Sequence, residues 1–413
     1  MTLILFLMLQ ATPAISFDQL VQTALAQNKG LQAAREQLRQ AEARLKQAGL
    51  RPNPSLDLSS STDVVFANEG ENGFAVMLSQ PFELGGKRGK RIRVAEAEVD
   101  LAKAEIADAE RQLIGQLKTA YLRAAETSAR LNFLERTRGL NRQMVQMMTV
   151  RLEAGDASRL DSHLLQAESN RLEAQRLQAE GQLTQEMFEI RKLAGISPNE
   201  PLLLPPLAVP VRATALETEA DLIEAAFRNR PDLQAVRLRE ALANAGVTLA
   251  RAQVAPNIIG SVRYAREPNV SRFATATQPQ GFVKDSVLDF GVSIPLPFWN
   301  REQGNIREAA SKVTQGTAER EALENSIRVE VIAAVRRYQS AMRSLELLRT
   351  GVVNETEAGF SITQLAYRLG DARLTDVIFQ QRSLIDAQIA ELAAQGEVAS
   401  AQATLDLALG GLK

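Results

Sequence analysis

The sequence predicts a mainly α-helical, internally duplicated chain that also carries a small set of membrane-type β-strands. Three observations predict it. The stretch from Phe82 to Ser197 contains no proline and is rich in Ala, Leu, Glu, Gln and Arg, all strong helix formers. Two pairs of short segments switch from a helical period to a period of two. The order helix, two strands, two long helices then runs through the chain twice.

Composition sets the outer limits. With 413 residues and a net charge of −1, nothing marks the chain as a nucleic-acid binder. Cysteine is absent, which excludes disulfides, thiolate metal sites and an acylated lipoprotein cysteine. Residues 1–15 (MTLILFLMLQATPAI) read as a signal-peptide core with small residues near Ala11–Ala14, although a basic leading region is missing. No other apolar run approaches the ~20 residues of a membrane-spanning helix. If the chain enters a membrane, it does so as strands.

The first repeat spans 16–197. Ser16-Phe17-Asp18-Gln19 resembles a capping box, and Leu20, Ala24, Leu31, Ala34, Leu38, Ala41 and Leu45 follow at helical spacing. This helix is expected to run to Gly49, with Pro52 and Pro54 beyond it. Between Pro54 and Phe66 one parity holds Leu56, Leu58, Val64 and Phe66, while the other holds Ser55, Asp57, Ser59, Ser61 and Asp63. A polar turn at Asn68–Gly73 leads into a second alternating strand through Phe74, Val76, Leu78 and Phe82. A long helical hairpin follows, turning about Ala154-Gly155-Asp156-Ala157-Ser158. At about 1.5 Å per residue its first arm, roughly 65 residues, is about 95 Å long.

Residues 198–217 hold five of the fifteen prolines and read as an extended linker. The second repeat, 218–413, restates the first. Asn229-Arg230-Pro231-Asp232-Leu233 echoes Asn28-Lys29-Gly30-Leu31, and Pro256-Asn257 echoes Pro52-Asn53. Strands are expected at Ile258–Arg266 and Phe282–Ile294. Pro297-Phe298 matches Pro81-Phe82, and Gly370-Asp371-Ala372 matches the first hairpin turn. Asp161 and Asp376 lie equally far beyond the two turn glycines.

Each strand has the length and the two-faced pattern of a tilted membrane strand. Four strands cannot close a barrel, and open edges are not tolerated in lipid. Two copies would give a narrow, filled barrel. Three would give twelve strands around an aqueous lumen, with the helical arms continuing the tube.

The junction motifs Gln80-Pro81-Phe82-Glu83-Leu84-Gly85-Gly86-Lys87-Arg88 and Pro295-Leu296-Pro297-Phe298-Trp299-Asn300-Arg301-Glu302-Gln303-Gly304 resemble the strand-to-helix junctions of TolC-family outer-membrane efflux proteins. Within that family they are most similar to the CzcC-like heavy-metal branch. The turns Arg151–Gly155 with Asp161, and Tyr367–Gly370 with Asp376, resemble the family's periplasmic tips. The resemblance implies a homotrimeric channel-tunnel in the outer membrane: a twelve-strand β-barrel continued by a long periplasmic α-helical barrel. It implies two protein partners, a periplasmic adaptor and an inner-membrane resistance–nodulation–division pump. Arg151, Gly155, Asp156, Leu369, Gly370 and Asp371 would meet the adaptor. Pro81, Gly85, Gly86, Lys87, Arg88, Pro297, Asn300, Arg301 and Gly304 would form the barrel–tunnel junction.

Aperture candidates follow from the same placement. In a closed trimer Asp161 and Asp376 would each recur around the axis as carboxylate rings, held by pairs to Arg151, Arg159, Arg368 or Arg373. The alternative is that both simply cap or solvate their helices. Relatives carry a second aspartate where this chain has Phe379, so a hydrophobic constriction is the alternative gate. No hydrolase, zinc-protease or phosphate-loop motif appears, and no enzyme or cofactor is expected. The lone His163 cannot assemble a metal site, and Met144, Met147 and Met148 read as packing residues rather than a soft-metal path. The basic run Lys87, Arg88, Lys90, Arg91, Arg93 is either a solvated helix start or a positive belt below the barrel. The function implied is a passive exit duct for divalent heavy-metal cations of the cobalt, zinc and cadmium type. The alternatives are drugs or a secreted polypeptide as cargo, or a soluble periplasmic coiled-coil adaptor.

Overall fold

The computed structural model describes residues 15–62, 72–155, 158–203, 218–270 and 282–411. The expected signal peptide as far as residue 14, Val64 and Phe66, Asp156 and most of the proline-rich linker lie outside them.

In the first repeat, α1 (Phe17–Gln27) and α2 (Lys29–Ala48) lead into β1 (Ser55–Ser61) and β2 (Gly73–Phe82). The long α3 (Lys87–Glu153) and its return helix α4 (Arg159–Ala194) follow. The second repeat gives α5 (Glu219–Asn229), α6 (Pro231–Gln253), β3 (Ile258–Val270), β4 (Phe282–Ser293), α7 (Gln303–Leu347), α8 (Asn354–Leu369) and α9 (Leu374–Ala408). The duplication is visible down to the caps. Ser16 and Thr218 each form a reciprocal capping box, with Gln19 and Asp221 respectively.

Two differences from the sequence-based expectation stand out. The opening helix of each repeat is broken, at Asn28 and at Arg230, where the backbone turns extended (ψ 120° and 118°). The second long arm contains a π-helical turn, Leu348–Val353, between α7 and α8. That turn holds Gly351, Val352 and Val353, which are poor helix formers.

The described chain divides into two compact units. One comprises Met1–Arg35, Glu105–Leu233 and Ala322–Lys413, and the other comprises Glu36–Ala104 and Gln234–Glu321. The first holds a series of apolar clusters along the helical hairpins. Leu20, Leu31, Leu117 and Ile190 form one, and Leu233, Ile327 and Val331 its counterpart in the second repeat.

The second unit holds a four-stranded sheet in the order β1-β2-β3-β4, antiparallel throughout. Register places Leu56, Leu78, Val262 and Phe290 in one cross-strand row and Leu58, Val76, Tyr264 and Leu288 in the next. The strand pleat points these rows to one face. All but the half-buried Val76 are exposed, Leu58 at 72% and Phe290 at 77%, so this face is built for a non-aqueous solvent. On the opposite face the row Asp57, Met77, Arg263 and Asp289 carries the charge. Among the described residues no helix is long and apolar enough to cross a membrane.

A direct test follows. Phe290→Arg puts a cation in lipid, at a cost of about 2–4 kcal/mol near the bilayer midplane. It should deplete the protein from the outer-membrane fraction, whereas Val287→Arg, on the polar face, should not. Equal fractionation of the two variants would count against the two-faced wall.

Candidate channel wall, junctions and hairpin tips

The strand-to-helix junctions explain the basic run. After β2 the chain turns through Gly85 and Gly86, both at positive φ (71° and 67°). A Cβ on Gly85 would lie 2.9 Å from the Cβ of Ala255, so this glycine serves close approach as well as the turn. Arg88 Nε donates to the Gly49 carbonyl at 2.7 Å, and Arg91 donates to the carbonyls of Ala48 and Leu50 at 3.0 and 3.1 Å. The carbonyls of Ala48 and Gly49 are ones that the end of α2 leaves without helical partners. Arg91 also grips the Glu83 carboxylate at 2.7 Å, and that hydrogen bond holds the Glu83 carboxyl below the usual carboxylate range. The run is thus neither simply solvated nor a free positive belt: two of its members cap α2, and Lys87 donates to Asn257 Oδ1 at 2.6 Å. In the second junction Asn300 Oδ1 accepts from Glu302 N, and Arg301 N donates to Gln303 Oε1. Pro81 pairs in register with Ile259, while Pro297 offers its carbonyl to Arg301. Gly304 lies in the first turn of α7.

The polar face of the sheet is the candidate lumen wall. Arg263 pairs with Asp289 at 3.1 Å and with Glu267. Asp57 lies in the same cross-strand row. Asp285 is paired in register with Glu267. Four carboxylates therefore share this face with one guanidinium.

At the tips, α3 ends at Glu153, with Gly155 at φ 82°, and α8 ends on Gly370 at φ 87°. A side chain at either glycine would meet nothing within 4 Å. Arg151, Leu369 and Asp371 are exposed. Asp376 takes a capping role within its own chain. Its carboxylate accepts from Arg373 N at 3.0 Å, closing the first turn of α9. Among the described residues neither Asp161 nor Asp376 forms an ion pair within one chain. Arg368 lies in the last turn of α8, and Phe379 is exposed on α9.

Sequence reasoning missed a buried ion pair that links the hairpins. Glu168 on α4 is fully buried, accepts from Arg171 at 2.8 Å and from Arg382 of α9 at 2.5 Å. The signal was present: a carboxylate between Leu165 and Leu172, on the buried stripe. Met148 packs with Leu165, Leu374 and Ile378, with Met144 against them, while His163 is exposed. Among the described residues no group of three or more His, Cys, Asp or Glu is placed to hold a metal ion.

A sheet apolar on one face and acidic on the other, joined to paired helical hairpins, defines a class: the wall subunit of a β-barrel channel with a helical extension. Comparison with known proteins agrees. The chain belongs to the outer membrane efflux protein family, whose model matches residues 20–196 and 222–411. It is similar to the cobalt-zinc-cadmium resistance protein CzcC of Cupriavidus metallidurans, at 24% identity over 97% of this chain and 91% of that one. It is also similar to the pyoverdine export outer membrane protein OpmQ of Pseudomonas putida, at 24% identity over 95% of this chain and 85% of that one. Among solved structures it matches CusC with a TM-score of 0.79 at 18% identity, over 96% of this chain and 92% of that one. The protein is an outer-membrane efflux channel of the TolC type.

Proposed function

We infer that three copies close a twelve-stranded barrel and that the resulting duct passes divalent heavy-metal cations of the cobalt, zinc and cadmium type. The observation that carries the duct is the sheet itself. Among the described residues of a single copy β1 and β4 have one strand partner each, and lipid does not tolerate such edges. The cation reading is supported by the excess of carboxylates on the polar face, because acidic linings favour cations. Similarity to a protein named for cobalt-zinc-cadmium resistance, over nearly the full length of both chains, points the same way.

In this reading a periplasmic adaptor receives the tips at Arg151, Gly155, Leu369, Gly370 and Asp371, and a proton-driven inner-membrane pump supplies the cargo. Phe379, recurring three times, constricts the aperture by dewetting, and Asp376 serves its helix. The pyoverdine exporter among the similar proteins keeps a second reading in view, in which the same duct exports a larger organic molecule.

Deletion of the gene decides between them. Growth on zinc, cobalt and cadmium should fail at concentrations the parent tolerates, with dyes and antibiotics tolerated as before. Sensitivity to dyes alone would overturn the metal cargo and leave the duct standing.

A further inference from the structure

The chain does not turn polar where the last strand ends. Ile294, Leu296, Phe298 and Trp299 are all exposed, and Trp299, at 88%, is the most exposed large hydrophobic side chain among the described residues. They continue the exposed β4 row of Leu288, Phe290 and Val292. The segment is nonetheless fixed. Phe298 N donates to the Leu296 carbonyl at 2.9 Å, and Gln303 Nε2 donates to the Trp299 carbonyl at 3.1 Å. The Phe298 and Trp299 rings meet edge to face, with centroids 6.0 Å apart. Beside them lies an open groove of about 600 Å³, lined by Lys87, Asn257, Ile259 and the Pro295–Asn300 segment, with the Glu302 carboxylate, which accepts from Asn305 Nδ2, at its edge. The Lys87 ammonium gives one hydrogen bond to Asn257, which leaves two of its three donors for a ligand.

Aromatic side chains with an apolar body and a polar N–H favour the boundary between hydrocarbon and headgroups. The first junction lacks this arrangement. Its groove, of about 480 Å³, is lined by Arg44, Arg51, Arg91, Glu83 and Glu98, with Arg44 and Arg91 held in pairs at 2.9 and 2.7 Å and no tryptophan on its rim. Only the second groove joins an ammonium to the Phe298–Trp299 rim that follows the lipid-facing strand β4.

We propose that this groove holds the headgroup of a glycerophospholipid from the periplasmic leaflet. Lys87 meets the phosphate, and the Phe298–Trp299 pair sits at the headgroup–acyl boundary. Each copy thereby carries a lipid anchor that sets the depth of the barrel. The proposal rests on the membrane reading of the apolar sheet face.

Trp299 is the only tryptophan in the chain, so intrinsic fluorescence reports on this one place. The full-length protein is reconstituted into phosphatidylcholine vesicles brominated either near the headgroup or near the acyl chain end, and incorporation is checked by flotation. Headgroup-proximal bromine should quench emission by roughly half and chain-end bromine by less, with aqueous acrylamide a poor quencher, as expected at a membrane interface. In vesicles doped with brominated phosphatidylglycerol or brominated diacylglycerol, the former should quench more. Lys87→Gln should erase that difference, and its persistence would remove the phosphate contact. Floated protein whose emission only acrylamide quenches would place the ring in water. Floated protein quenched by neither would place it against a neighbouring copy. Either result overturns the anchor, whereas failure to float would instead overturn the membrane reading of the sheet.

Discussion

Gly410→Ala is expected to destabilise the protein by about 2–5 kcal/mol, and Gly195→Ala to do the same. Both glycines have positive φ, 72° at Gly195 and 86° at Gly410, which a side chain resists. Both also press on backbone. A Cβ at Gly195 would lie 2.8 Å from the carbonyl carbon of Gln27, and one at Gly410 would lie 2.8 Å from that of Asn229. Neither wall is a flexible side chain that could move aside. Gly155→Ala is the control, since it shares the positive φ but faces open space. It should cost only about 1 kcal/mol. Thermal melting of the detergent-purified protein measures all three. Equal melting of Gly410→Ala and Gly155→Ala would show that the close approach contributes nothing.

Removing the Glu168 carboxylate should also destabilise the helical hairpins. Glu168 is the shared acceptor of Arg171 and Arg382, and Arg171 also reaches Asp386 of α9 at 4.0 Å. One buried charge thus ties the return helix of the first hairpin to that of the second. Breaking a buried pair costs about 3–5 kcal/mol because the partner charge is stranded. Here the side chains of Arg171 and Arg382 are 30% and 44% exposed, so both can turn their heads to water. The expected loss for Glu168→Leu is therefore about 2–3 kcal/mol. Removing both charges, Glu168→Leu with Arg382→Met, should restore part of that stability, because an apolar replacement of a buried pair is often neutral. Losses that simply add in the double variant would show that the two residues are not coupled.

The positions at stake in these two predictions were not equally visible in the sequence. The αL helix ends at Gly155 and Gly370 could be placed from glycine followed by short polar residues. The apolar parity of Leu56, Leu58, Phe290 and Val292 could be read from alternation alone, and the repeat was needed to turn it towards lipid. The break at Asn28 could not, because helical spacing continues through it, whereas Pro231 marks the one at Arg230. Nor could the fates of Arg88 and Arg91, which the sequence leaves as charges without partners and the fold converts into caps, whereas capping was one of the two readings the sequence offered for Asp376.

The sequence by itself determined what repeats along the chain: which segments are helix, which are strand, which strand face is apolar, and that the pattern occurs twice. Those properties depend on neighbours three, four or two residues away, so local order suffices. Only the tertiary structure decided what the breaks in the opening helices pack against. Asn28 Nδ2 donates to the Leu193 carbonyl across 165 residues, and Arg230 reaches the Ala408 carbonyl across 178. Each break is where a side chain caps the end of a distant return helix while that helix's terminal glycine packs against the exposed backbone. No window of sequence contains both halves of such a contact.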